Sequence, residues 1–209
     1  MARLTREESQ MLTRERLLDA AMQVFASNGY EGASVDRIAE QAGYSKGAVY
    51  SNFSSKEELF LELLKRHMSN EIAELHRLLD RSSSAAEILQ ALKKKYGAMD
   101  KKLALPMIAL EFQLQAGRNP EFGEPFAELY RNQRKAIAEL IIYAAKKAGV
   151  PAPANANEIA IILMAVTHGI AMQRAVDPRS VPATTAGTAI QIYLSQILDH
   201  RLSKPKANS

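Results

Sequence analysis

The 209-residue chain contains no cysteine. Disulfide scaffolds, thiolate metal sites and cysteine nucleophiles are therefore excluded, and the composition fits a reducing, cytoplasmic setting. Its four histidines, His67, His76, His168 and His200, show no close pairing and no His-Glu-x-x-His, so no metal site is expected. A phosphate loop and a dinucleotide fingerprint are also absent, which argues against an enzyme and implies no cofactor. No apolar run follows the arginines of Met1-Ala2-Arg3-Leu4-Thr5-Arg6, so no secretory signal is expected. The uncharged apolar run Ile159 to Gln173 has 15 residues. As a helix it spans about 22 Å, short of a bilayer core of ~30 Å, and it reads as a core or interface helix rather than a membrane anchor. Strand signals are missing too, with no alternating Val/Ile/Thr/Tyr run and so no hairpin for an Asn-Gly or Asp-Gly turn to join.

Strong charge bias is the last absence. The net charge is +4, which permits a nucleic-acid partner without demanding one. Residues 1–66 hold 9 Lys+Arg against 10 Asp+Glu, and the remainder 18 against 13. Locally, however, Gln41 to Lys56 carries two lysines and no acid.

What is present is helical spacing. Leu17, Ala20, Ala21, Val24 and Phe25 form one stripe, stopped by Asn28-Gly29. Ser34 caps a short helix bearing Val35, Ile38, Ala39 and Ala42, which Gly43 ends in the left-handed conformation. Ser45 opens a third short helix to about Ser51. Ser55 with Glu58, and Ser84 with Glu87, have capping-box spacing at the heads of two further helices. Pro106 falls in the first turn of a helix reaching Ala116, and a long helix runs from Phe122 to Lys147. Two apolar helices follow, about Asn157–Val176 and Thr185–Leu202. The expected fold class is all-α, with about nine helices. An N-terminal three-helix domain over 1–56, a larger helical domain over 57–204 and a disordered tail over 205–209 are expected.

The informative segment is Ser34 to Phe53. Its two short helices, joined at Ala42-Gly43-Tyr44, have helix-turn-helix spacing. A helix entering a major groove about 12 Å wide needs small or polar outer residues. Ser45, Lys46, Gly47, Ala48 and Ser51 provide them, and Val49 points the other way to anchor the helix. Any helical corner in an all-α protein shares this spacing, so the pattern alone leaves a purely structural corner open.

Arg14 to Leu64 carries Ala20-Ala21, Phe25, Gly29-Tyr30, Ser34-Val35, Ile38-Ala39, Ala42-Gly43, Ser45-Lys46-Gly47, Tyr50, Phe53 and Lys56-Glu57-Glu58-Leu59. With these residues at this spacing, the stretch resembles the N-terminal domain of the TetR (tetracycline repressor) family of bacterial regulators. The resemblance implies a homodimeric repressor that binds a palindromic double-stranded DNA operator and is released by a small-molecule effector. It implies that Ser34 caps its helix and donates to phosphate, and that Ser45, Lys46, Gly47, Ala48 and Ser51 face the groove. Lys46 would reach guanine or phosphate, and Ala48 a thymine methyl. Tyr50 and Lys56 would contact phosphate, and Tyr44 would divide between core and phosphate. At Ser51 and Asn52 the chain departs from the family's frequent aromatic and His, leaving Asn52 a hydrogen bond to the DNA backbone. Phe53 is assigned to packing, whereas Arg14 and Arg16 read equally as phosphate contacts or solvated charges.

Helices apolar on most faces need a cover, either the internal core or another subunit. The resemblance favours an intermolecular four-helix bundle, with Ile159, Leu163, Val166, Ile170, Ile190, Tyr193 and Ile197 at the dimer interface. Ala165, Gly169 and Ala171 allow close helix approach. Candidates for the effector site are Met107, Glu111, Phe112, Gln115, Phe126, Tyr130, Met164, His168 and Met172, each with an ordinary alternative as surface or satisfied core. The helix beginning at Lys56 is the expected lever between head and effector domain. The competing classes are an all-α interaction protein whose helix-turn-helix is structural, and a small helical enzyme.

Overall fold

The computed structural model describes residues 5–98, 104–118 and 120–198. Among the described residues there are nine α-helices and no strand: α1 (Arg6–Gly32), α2 (Val35–Ala42), α3 (Lys46–Tyr50), α4 (Lys56–Arg81), α5 (Ala85–Tyr96), α6 (Ala104–Ala116), α7 (Pro120–Lys147), α8 (Ala156–Val176) and α9 (Thr185–Leu198). The expected tail and the last turns of the terminal helix lie outside the described residues.

Local chemistry explains most boundaries. Thr5 and Glu8 form a reciprocal capping box: Thr5 Oγ1 accepts from the Glu8 amide at 3.2 Å, and Glu8 Oε2 accepts from the Thr5 amide at 2.8 Å. At Ser55 and Ser84 only half of that device forms. Each serine accepts from the amide three residues on, but Glu58 and Glu87 reach one residue further back, to the amides of Ser54 at 2.6 Å and Ser83 at 2.8 Å. Gly29 interrupts α1 with φ 71°, ψ 177°, and Gly43 ends α2 in the left-handed region with φ 72°, ψ 31°.

The described chain condenses into two units. The first takes the residues up to His67 together with Ile108–Leu129; the second takes Met68–Met107 and the residues from Tyr130 onward. These packing units divide the chain differently from the functional domains expected over 1–56 and 57–204. The reason is an aromatic cluster that draws α6 and α7 residues into the head's core. Phe112, 1% exposed, lies with its ring centroid 4.9 Å from both Tyr30 and Phe60, and Phe126 lies 5.4 Å from Phe112. Phe25 completes the group at 5.8 Å from Tyr30 and 5.1 Å from Phe60.

Tyr30 is tied on every side within this unit. Its amide donates to Glu111 Oε2 at 2.8 Å and its hydroxyl to Glu57 Oε1 at 3.0 Å. Its carbonyl accepts from Lys56 Nζ at 3.1 Å, and the same ammonium lies 4.4 Å from the ring centroid. Burial, reinforced by the negative charge of Glu57, raises the Tyr30 phenol far above its ordinary range, so it remains a donor.

The second unit is built on Ile88, Ala145 and Ala160, all fully buried, with Leu75, Leu79, Leu92, Ile141, Ile159, Ile190, Leu194 and Leu198 around them. Gly187 on α9 lies against the backbone of α5, where an added Cβ would collide with the Lys93 carbonyl oxygen. One described helix, α8, is long and apolar enough to cross a membrane by length and composition. One side of it, at Ile159, Ala160, Met164 and Ala171, is buried in the unit.

Removing the Phe112 ring should destabilise the head rather than open a ligand site. Phe112→Ala is expected to lower unfolding free energy by about 3–5 kcal/mol, within the range for buried aromatic truncation. Urea denaturation followed by circular dichroism measures it, and a change below about 1 kcal/mol would contradict the packing role.

Candidate DNA-reading face and effector cavity

The reading face is assembled by caps and one anchor. Ser34 Oγ accepts from the Arg37 amide at 3.3 Å and starts α2; Ser45 Oγ accepts from the Ala48 amide at 3.1 Å and starts α3. The left-handed Gly43 turns the chain between them, and its amide satisfies the α2 carbonyls of Ala39 and Glu40. Val49, 1% exposed, anchors α3 in the core, where Ile38 and Phe53 are also buried. Consequently Ser45, Lys46, Gly47, Tyr50 and Ser51 stand on the exposed side of α3, with Ala48 half-buried.

The charged and polar groups divide sharply. Lys46 Nζ reaches Asp36 Oδ2 at 2.9 Å, with both side chains more than half exposed. That pair faces solvent, so a phosphate oxygen can replace the carboxylate. Tyr44 receives a hydrogen bond from Arg16 at 3.4 Å; contact with Thr13, then with Arg16, holds its phenol below its ordinary range. Lys56 is turned inward, donating to the Tyr30 and Ala33 carbonyls that close the end of α1. Asn52 donates to the Ala48 carbonyl at 2.8 Å, and its buried Oδ1 has no partner among the described residues. Arg14 likewise works internally: it stacks 4.2 Å from the Phe53 ring centroid and donates to the Asn52 carbonyl at 2.6 Å. Lys46, Tyr50, Ser51, Ser45 and Gly47 are thus brought together on one accessible face. Lys56 and Asn52 are used to hold that face in place.

Within the second unit, α4, α5, α7, α8 and α9 enclose a cavity of about 120 Å³. Its walls are mostly apolar, including Ile72, Ile137, Ile141, Leu163 and Leu194. Its polar members are Glu71, Tyr96, Gln133, Thr167 and His168. The Tyr96 hydroxyl donates to Glu71 Oε1 at 3.0 Å. Burial, together with the Glu71 charge, pushes the Tyr96 phenol well up.

Of the nine effector candidates, Met164 and His168 line this cavity. Tyr130 lies behind His168, with ring centroids 6.2 Å apart, and burial pushes its phenol up to about 12. Glu111 is an exposed residue bound to the end of α1, Phe112 and Phe126 belong to the head's core, Met172 is exposed, and Met107 and Gln115 are half-buried outside the lining. Sequence reasoning missed Glu71, Tyr96 and Gln133. Their signal was a polar residue one turn from apolar ones on α4, α5 and α7, which any helix surface also shows.

The interface candidates divide in the same way. Ile159 and Ile190 are buried in their own subunit, Leu163 lines the cavity, and Ile170, Tyr193 and Ile197 are half-buried. Val166 is exposed, together with Ile161, Ile162, Met172 and Ile192. A Cβ added at Gly169 would meet nothing within 4 Å.

His168 gives the second unit a pH signature. Burial lowers its pKa below the ordinary 6.5, partly offset by the Glu71 charge. The unfolded chain therefore takes up this proton first as pH falls, and stability declines from pH 6.5 down toward the folded-state pKa. His168→Gln is expected to flatten that decline in a series of urea midpoints. Parallel curves for the two proteins would contradict it.

Comparisons with known proteins agree with this architecture. The family model described as bacterial regulatory proteins of the tetR family matches residues 17–63, and that of the C-terminal part of BetI-type transcriptional repressors matches residues 107–199. The nicotine-responsive transcriptional repressor HdnoR of Paenarthrobacter nicotinovorans is 28% identical over 166 residues, 79% of this chain and 84% of that protein. The transcriptional activator FasR of Mycolicibacterium smegmatis is 40% identical over 89 residues, 43% of this chain and 39% of that protein. A solved transcriptional regulator from Rhodococcus sp. Rha1 is 27% identical with a TM-score of 0.68, covering 92% of this chain and 99% of that one. With the helix-turn-helix head, the all-helical second unit and both family matches in place, the chain belongs to the TetR family of bacterial DNA-binding transcriptional regulators.

Proposed function

We propose that the protein is a cytoplasmic, homodimeric repressor that reads a palindromic operator through α3 and leaves it when a small effector occupies the second unit. The observation that carries the reading is α3 itself. Its apolar anchor, Val49, faces the core, while small, hydroxylic and cationic side chains face solvent. On this reading Ser45, Gly47, Ala48 and Ser51 approach base edges and the sugar-phosphate backbone, Lys46 exchanges Asp36 for a phosphate or guanine, and Tyr50, Tyr44 and Ser34 donate to phosphates. Lys56 and Asn52 act as positioning residues. Residues 1–56 carry recognition and the remainder carries effector binding and pairing.

A second copy is the natural cover for the apolar strip on α8 and α9. Ile161, Ile162, Val166, Met172 and Ile192 are exposed together with the open space at Gly169, and a strip of that kind in water favours self-association. Two heads related by a two-fold axis would meet half-sites about one helical turn, or a multiple of it, apart. The name of the nicotine-responsive relative supports release by a small molecule. For transmission, α4 runs from the head into the cavity wall, and Glu111 and Phe112 on α6 hold the end of α1. A ligand that favours one arrangement of these helices would lower operator affinity by the ratio of its affinities for the two states.

A footprint on the DNA upstream of the protein's own coding region should show a protected palindrome, with a log-log salt slope of roughly −4 to −5 for the dimer. Lys46→Ala is expected to weaken binding and make the slope shallower by about one unit per subunit, and Tyr50→Ala to weaken it without unfolding the chain. A slope near zero, or unchanged affinity in both variants, would overturn the mode. Sedimentation should report a dimer, which Val166→Asp converts to monomer with loss of the footprint. A monomeric wild type that still footprints a palindrome would sink the pairing.

A further inference from the structure

The cavity of the second unit has an uneven hydrogen-bonding inventory. Glu71 brings a carboxylate whose one described hydrogen bond comes from Tyr96, and none of the described lysines or arginines forms an ion pair with it. Lys95, next to Tyr96 in the chain, is committed to Glu74 at 2.5 Å. Gln133 Oε1 is buried without a partner. The Thr167 hydroxyl spends its proton inside α8, on the Leu163 and Met164 carbonyls at 2.8 and 3.0 Å, and keeps only acceptor capacity. His168 is held neutral by burial, so it does not supply a cation to Glu71, and it contributes at most one N–H. The site therefore sets the charged oxygens of Glu71, with the Gln133 and Thr167 oxygens, against neutral donors only, the imidazole and the Gln133 amide N–H groups, inside apolar walls.

We propose that this cavity takes a protonated primary or secondary amine with a small apolar body, its N–H groups shared between Glu71 and Gln133. The proposal rests on the reading of this cavity as the effector site and adds the chemical class. An anion would meet Glu71 with no lysine or arginine in the lining. An uncharged apolar guest would leave Glu71 and Gln133 desolvated and unpaired. A quaternary ammonium has no N–H to give, and Tyr96 and His168 alone do not form the aromatic cage such cations use. The volume, about 120 Å³, suits a body near the size of benzene, which fills an engineered cavity of about 150 Å³.

The test is isothermal titration of the full chain at pH 7.5 with four benzyl compounds: benzylamine, benzyl alcohol, benzoate and benzyltrimethylammonium. Benzylamine is expected to bind at least tenfold more tightly than each of the others. Glu71→Gln should erase at least tenfold of the preference for benzylamine over benzyl alcohol. Gln133→Leu, which keeps the side chain's bulk, should weaken benzylamine severalfold and provides the same reading if Glu71→Gln fails to fold by circular dichroism. Absence of benzylamine binding, equal binding of benzoate or of the quaternary ion, or unchanged selectivity in the folded variants would overturn the proposal. Operator binding, followed separately by gel shift, keeps the two readings apart. An intact footprint with no amine selectivity sinks the ligand class alone, whereas lost DNA recognition with selective amine binding sinks the operator mode alone.

Discussion

Everything the head does depends on how the end of α1 is held at Tyr30. An α-helix that stops abruptly leaves its last carbonyls unsatisfied, and a chain leaving in an extended direction exposes an amide as well. Here Gly29 permits the break, Glu111 takes the freed Tyr30 amide, and Lys56 takes the Tyr30 and Ala33 carbonyls. The phenol of the same residue returns to Glu57 in the first turn of α4. One side chain and its backbone therefore register α1, α4 and α6 against each other, and α2 and α3 are carried on that frame. The aromatic rings around it exclude water from these bonds, which is the condition under which they hold geometry most strongly.

That arrangement also explains why so little positive charge is left for a nucleic acid. Lys56 closes a helix end, Arg14 covers Phe53, and Arg66 bridges Glu15 and Asp19 on α1. These cations stabilise the head and do not advertise a polyanion partner. On the proposed reading, recognition falls to a small number of groups on α3 together with Tyr44, whose phenol Thr13 and Arg16 hold below its ordinary range. A weakly charged reading head discriminates better against random duplex than a strongly basic one, because nonspecific binding is almost entirely electrostatic.

The fold was legible in the sequence to the extent that it was written locally. Gly43 ended α2 in the expected left-handed region, Gly29 broke α1 with a positive φ, and Ser34, Ser45, Ser55 and Ser84 accepted the amides three residues on. The partners of Glu58 and Glu87 shifted by one residue because a flexible carboxylate can serve either neighbouring amide. Long-range roles were far less legible. Lys56 has the spacing of a phosphate contact, and only the position of Tyr30 reveals why it turns inward. Phe112 and Phe126 have the character of adaptable lining, yet the deepest apolar environment available to them is the head's core. The phase of α8 was unreadable for a simpler reason: a helix apolar around its whole circumference carries no mark of which side faces inward. Ile159 and Val166 look alike in the sequence, and one is buried while the other meets solvent.

The bare α-carbon of Gly187 against the Lys93 carbonyl fixes what descendants of this chain are free to alter. Any side chain at that spot would wedge two rods apart, one turn before Ile190 and two before Leu194, which line the chamber. Lineages adapting to new inducers would therefore trade residues on α4 and α7, where bulk can be exchanged in place, and leave the tilt of the final rod untouched. Chemical preference can drift in such a scaffold while its frame stays inherited.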